Sequence, residues 1–156
     1  MKFQKFVKAL GSDDIVYNRK NGEQWLASER VFMKIPEDIC SVTCADIADM
    51  PDFVENIINY DSFTNPCDLT RAVMPYADGV IKDCVRIYET EDRLSKVAID
   101  NGSYALIERS DTVEMYAQFD TKTEISEGKA LVIKHLADLL YDEEVIGLIF
   151  PTDYEE

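Results

Sequence analysis

Basic residues are what this chain lacks most. Sixteen Lys and Arg stand against 31 Asp and Glu in 156 residues, a formal net charge of -15. Between Lys34 and Arg71 there is no basic residue at all, while Glu37, Asp38, Asp46, Asp49, Asp52, Glu55, Asp61 and Asp68 all fall inside that gap. A surface of this sign repels nucleic acids and anionic membranes and attracts basic proteins, so direct binding to DNA, RNA or a bilayer is not expected. Long apolar runs are also missing. Lys2, Lys5 and Lys8 interrupt the opening residues, which leaves no uninterrupted stretch of secretory length. No later segment is apolar enough to span a bilayer, and the expectation is a cytoplasmic protein of a bacterium or of a phage in its host.

Glycine and histidine are scarce as well. None of the six glycines builds a phosphate-cradling loop after a strand, so nucleotide binding is disfavoured and no cofactor is expected. The only histidine is His135, which limits both metal and nucleophile chemistry. Cys40-x-x-x-Cys44 has the spacing of a zinc-ligand pair, yet structural zinc needs four ligands and Cys67 and Cys84 stand alone. Four reduced, buried thiols are the expectation. No Asp-x-Asp-x-Asp-Gly pattern marks a cation loop among the many carboxylates.

What is present is a folded composition. With 46% hydrophobic and 10% aromatic residues, the chain is too apolar to be a disordered acidic tail. Its length suits one compact domain over 1–156, with sub-halves at 1–62 and 67–156 divided by the turn chemistry of Asp61-Ser62-Phe63-Thr64-Asn65-Pro66. The fold class is α+β, an antiparallel sheet with about three amphipathic helices. Phe3, Phe6, Val7 and Leu10 recur at helical spacing, with Lys2, Lys5 and Lys8 on the wet side and Gly11 placed to end the helix. Ile15–Tyr17 and Gln24–Ala27 flank Asn21-Gly22, a hairpin signal, and Val31–Ile35 stops at Pro36. A second helix starts near Met50 with Pro51 in its first turn, Phe53, Val54, Ile57 and Ile58 inward, and Asp52, Glu55, Asn56 and Asn59 outward. Val80–Glu89, Val97–Asp100, Tyr104–Glu108 and Val113–Phe119 read as a meander, the middle pair joined by Asn101-Gly102. The third helix is expected over Leu131–Tyr141 with Val132, Leu136, Leu139 and Leu140 inward, followed by a strand over Val145–Phe150 that Pro151 ends.

The run Trp25-Leu26-Ala27-Ser28-Glu29-Arg30-Val31-Phe32-Met33-Lys34-Ile35-Pro36 resembles the strand, break and strand unit of bacterial DNA sliding clamps. Gly147-Leu148-Ile149-Phe150-Pro151 is similar to the apolar strand and proline that close those clamps. The resemblance implies two similar halves with helices lining one side of a curved sheet, in a phage or mobile-element protein.

Three functional classes follow. The first is a non-catalytic acidic binding protein whose anionic face, Asp46, Asp49, Asp52, Glu55 and Asp61, engages a basic protein surface such as that of a nucleic-acid enzyme. In its extreme form such a face imitates the phosphates of DNA and inhibits that enzyme. The second is a sliding-clamp-like replication accessory, which would form a homo-oligomer. The third is an enzyme with a diffuse carboxylate site, recognisable by two acids with opposed pKa shifts.

Overall fold

The computed structural model describes residues 1–9, 14–36, 46–60, 66–74, 76–77, 80–81, 83–108, 110–116, 126–127, 130–137, 139 and 142–153. Leu10, Gly11, Cys40, Cys44, Asp61, Ala117 and Phe119 therefore lie outside the described residues. The elements run α1 (Phe3–Lys8), β1 (Ile15–Asn18), β2 (Gln24–Ala27), β3 (Val31–Lys34), β4 (Asp46–Asp49), α2 (Asp52–Ile58) and β5 (Cys67–Val73). They continue as β6 (Tyr76–Ala77), β7 (Val80–Ile81), β8 (Val85–Thr90), β9 (Ser95–Asp100), α3 (Asn101–Tyr104), β10 (Thr112–Tyr116), β11 (Ser126–Glu127), β12 (Ala130–His135) and β13 (Glu144–Ile149).

This is a mixed helix and sheet protein, with three short helices and two main, mostly antiparallel sheets among the described residues. The larger sheet has seven strands in the order β10-β12-β13-β3-β2-β1-β4, and the smaller has four, β11-β9-β8-β5. Strands from both ends of the sequence meet in the larger sheet, where β13 pairs with β3. No described helix is long and apolar enough to cross a membrane.

Strands β2, β3, β12 and β13 of the larger sheet are buried on both faces, and their residues alternate between two cores. Leu26, Met33, Leu131, Ile133 and Ile149 point to one core, shared with Phe3 and Phe6 of α1 and with Tyr88, Val97 and Ile99 of the smaller sheet. Trp25, Ala27, Phe32, Ala130, Val132 and Leu148 point to the other, which Val54 and Ile57 of α2 cover. α1 docks as its spacing predicts, with Lys2, Lys5 and Lys8 exposed. The β1–β2 hairpin forms as well. Gly22 takes φ +91° and its amide donates to the Arg19 carbonyl at 3.0 Å, a conformation that Asn21-Gly22 supplies at little steric cost.

Three expectations are corrected. The helix expected over Leu131–Tyr141 is instead strand β12, whose Leu131, Val132 and Ile133 are fully buried in alternation. Leu136 and Leu139, read as inward, are exposed. Asn101-Gly102 begins α3 rather than turning a hairpin, because Gly102 has no positive φ and Asp100 enters from an extended conformation. Tyr104–Glu108 is accordingly not a strand, and the apolar Leu106 goes to the core while its carbonyl accepts the amide of Lys2 at 2.8 Å. The run Val80–Glu89 is interrupted, forming β7 and β8 with Asp83 and Cys84 between them.

Candidate binding site

The elements β1, β2, β3, α2 and the end of β13 leave one corner of the larger sheet open. α2 is only seven residues long and covers the Trp25 side of its core, so among the described residues the rest of that face is not roofed. There Tyr17 stacks flat on Phe32 with centroids 5.5 Å apart, Phe32 meets Phe150 edge-on at 5.4 Å, and Phe150 meets Phe53 edge-on at 6.1 Å. These four rings, with Ile15 and Ala27, line a groove of about 480 Å³ whose polar wall is Ser28 and Glu29. The groove floor is fixed by the chain end crossing the β2–β3 turn. The amide of Phe150 donates to the carbonyl of Arg30 at 2.7 Å, and the Arg30 guanidinium donates to the carbonyl of Pro151 at 2.6 Å.

Phe53 belongs to this groove and not to the core. It is 58% exposed, although helical periodicity grouped it with Val54 and Ile57. Aromatic rings that are partly open and held by other rings are well suited as anchors, since they offer large contact area at low entropy cost.

The acids predicted to carry the contact separate into three groups. Asp46 and Asp49 are exposed at the two ends of β4, and Asp52 is exposed at the start of α2, one residue before Phe53. Asp46 pairs in register with Ile15, which puts it on the groove side of the sheet edge. Lys20 approaches Asp52 only to 4.0 Å with both side chains in solvent, a contact that screening leaves weak. Glu55 is different. Helical spacing puts it on the wet face, yet it is buried against Arg19, with Arg19 Nε at 3.2 and 3.3 Å from its two oxygens and Nη2 at 3.2 Å. Asp61 lies outside the described residues.

Behind Glu55 runs a chain of ion pairs. Arg19 Nη1 donates to Glu23 at 2.7 Å, and Lys34 lies 3.5 Å from Glu23 and 2.7 Å from Glu144. Burial opposes the charged forms of Arg19, Glu23 and Lys34, and their hydrogen bonds and opposite charges reverse that penalty. Arg19 and Lys34 are thereby raised and Glu23 is lowered. The Trp25 indole N–H also donates to Glu23, at 3.3 Å, which closes the network over a fully buried ring. Asp92 is lowered too, by the hydroxyl of Thr90 and the amide of Leu94.

Among the described residues, Cys67, Cys84 and His135 show no assembled chemistry. No group of three or more His, Cys, Asp or Glu converges for a metal among the described residues. His135 is exposed at the end of β12, with Nδ1 2.9 Å from the carbonyl of Leu136. Cys67 is buried and its thiol is pushed up to about 12, chiefly by burial and then by the charges of Asp68 and Glu114. A thiol raised from 9.0 in the folded state favours folding below pH 9, and that contribution is lost as pH rises from there toward 12. Under iodoacetamide at pH 8, Cys67 is expected to stay unmodified in the native protein while Cys84, which is partly exposed, reacts first. Peptide mass mapping reads both sites, and native labelling of Cys67 at the rate of Cys84 would contradict its placement.

The sequence reading missed the groove residues Ile15, Tyr17, Phe32 and Phe150. Their alternation identified strands, but nothing in the sequence marks which sheet face is left uncovered. No protein-family model, no curated protein and no solved structure matches this chain.

Proposed function

We propose that this protein acts by binding, its acid-rimmed aromatic groove receiving a basic segment of a partner protein. The observation that carries the reading is a coincidence of place: Glu29 lines the opening with Phe53, Phe150 and Tyr17, while exposed Asp46 pairs in register with the lining Ile15 and exposed Asp52 precedes Phe53 on α2. A basic side chain would find carboxylates at the rim, and an apolar neighbour would find rings within. The net charge of -15 steers such a partner in from a distance and repels nucleic acid from the same surface. Basic segments with apolar anchors are common on nucleic-acid-binding proteins, which are the partner class this surface suits best.

The test uses fluorescein-labelled peptides carrying four lysines around one leucine or phenylalanine, with an all-glutamate counterpart, titrated by anisotropy. Binding of the lysine peptides alone, weakening as salt rises from 50 to 300 mM, is the expected result. Asp46→Lys with Asp52→Lys should weaken it tenfold or more while changing unfolding free energy by no more than about 0.5 kcal/mol per site, as for ordinary surface changes. Phe53→Ala should weaken it as well, about tenfold, as for an interface anchor. Equal binding of both peptides, or affinity indifferent to all three changes, would dismiss the proposal.

A clamp-like accessory role is the second reading. What favours it is that β2–β3 and Gly147–Pro151, the two segments with that likeness, lie side by side through the β13–β3 pairing. It ranks below the first because α2 carries no basic residue with which to face DNA. Sedimentation at micromolar concentration separates the two, since a ring requires a multiple of the monomer mass.

A further inference from the structure

The edge strand β4 states more about the partner than the groove does. β1 holds one side of it in parallel register, and among the described residues no strand lies on the other side. All four of its residues are exposed, Ile47 at 69%. One hydrogen bond fixes the direction of its backbone groups. Met50 donates its amide to the Asn18 carbonyl at 2.9 Å, and backbone groups of successive residues in a strand point to opposite sides. Asp46 and Ala48 therefore share the direction of Met50, toward β1. Ile47 and Asp49 present their N–H and C=O groups outward.

A row of outward amides beside an exposed isoleucine is a template for another strand. Lys or Pro commonly blunts such an edge, but this one has neither and is bracketed by Asp46 and Asp49. The bracket selects among occupants. A second copy of this chain would bring its own charge of -15 to the edge, and an uncharged strand would leave both carboxylates without counter-charge. A basic strand meets both needs. Resting on the binding reading above, we propose that β4 accepts an extended segment of the partner as an added antiparallel strand, with basic residues at its first and fourth positions and an apolar residue at its third.

The spacing follows from the register. Antiparallel addition sets four successive partner residues opposite Asp49, Ala48, Ile47 and Asp46, so charge pairs form at the first and fourth and apolar contact at the third. The first and third partner residues also face the outward groups of Asp49 and Ile47, and their amides make the hydrogen bonds. The second and fourth amides point away.

The experiment places the change on the ligand, so folding of the protein is not at issue. The probe is a fluorescein-labelled, end-capped peptide with Lys-Thr-Val-Lys at its centre, titrated by anisotropy at 50 mM salt. N-methylation of the first and third central residues is expected to weaken binding tenfold or more, and of the second and fourth less than twofold. Moving the two lysines next to each other should weaken it at least fivefold. Equal loss from both methylated sets would overturn strand addition. If affinity is then still salt-dependent and sensitive to Phe53→Ala, the groove proposal stands without the edge. If no lysine peptide binds at all, both are wrong.

Discussion

Replacing Glu55 by lysine is expected to lower the unfolding free energy by about 4 kcal/mol, the cost of breaking a buried ion pair and leaving like charges in its place. The side chains of Glu55 and Arg19 are 10% and 8% exposed, and three Arg19 N–H to oxygen contacts of 3.2 to 3.3 Å join them. Arg19 would keep Glu23 at 2.7 Å and Asn59 at 2.9 Å, so its charge would not be wholly orphaned. Lysine at 55 would nevertheless sit against it. Urea denaturation measures the loss, and for a chain of this length it corresponds to a fall in Tm of roughly 10 °C. Asp52→Lys, three residues earlier on the same helix, should move stability by less than about 0.5 kcal/mol. Comparable effects at the two sites would contradict the placement of Glu55. Removing both charges, as Arg19→Met with Glu55→Leu, is expected to restore most of the loss, because the pair itself contributes little beyond offsetting its own desolvation.

Glu55 also illustrates how far the sequence could be read. Helical periodicity groups Phe53, Val54, Ile57 and Ile58 on one face of α2, and it puts Asp52 and Glu55 together outside. What turns Glu55 inward is a guanidinium from a hairpin 36 residues away, which no local pattern contains. Elements whose signals are local were legible: α1 from its phenylalanine and lysine spacing, the β1–β2 hairpin from Asn21-Gly22, β3 from its stop at Pro36, and β13 from its apolar run before Pro51's counterpart at the other end of the chain, Pro151. Elements defined by long-range partners were not. β4 is only Asp-Ile-Ala-Asp, and it is a strand because the ladder of β1 takes it up in parallel. β5 carries five exposed residues in a row and is held by its antiparallel pairing with β8. Of the predicted contact acids, Asp46, Asp49 and Asp52 are exposed, Glu55 is buried, and Asp61 lies outside the described residues. The aromatic half of the site depended on which face α2 leaves open, a property of packing and not of sequence.

The same distinction gives the second large effect. Leu131→Ala is expected to lower stability by about 4 kcal/mol, within the range for a large aliphatic side chain removed from a rigid core. Leu131 is fully buried and sits in register between Met115 of β10 and Ile149 of β13, in the core shared with α1 and the smaller sheet. Helical spacing of Val132, Leu136 and Leu139 suggested an amphipathic helix, but that period arose by chance from a strand buried on both faces and the exposed Leu136 and Leu139 after it. A doubly buried strand reads as a continuous apolar run, which periodicity cannot tell from a helix. Stability measurements can. In the helical arrangement Leu139 would be a core residue and its loss costly, whereas in β12's arrangement it is fully exposed and Leu139→Ser should cost less than about 0.5 kcal/mol. A large loss at Leu139 together with a small one at Leu131 would reverse the assignment, and with it the place of β12 between β10 and β13 that joins β10 to the rest of the sheet.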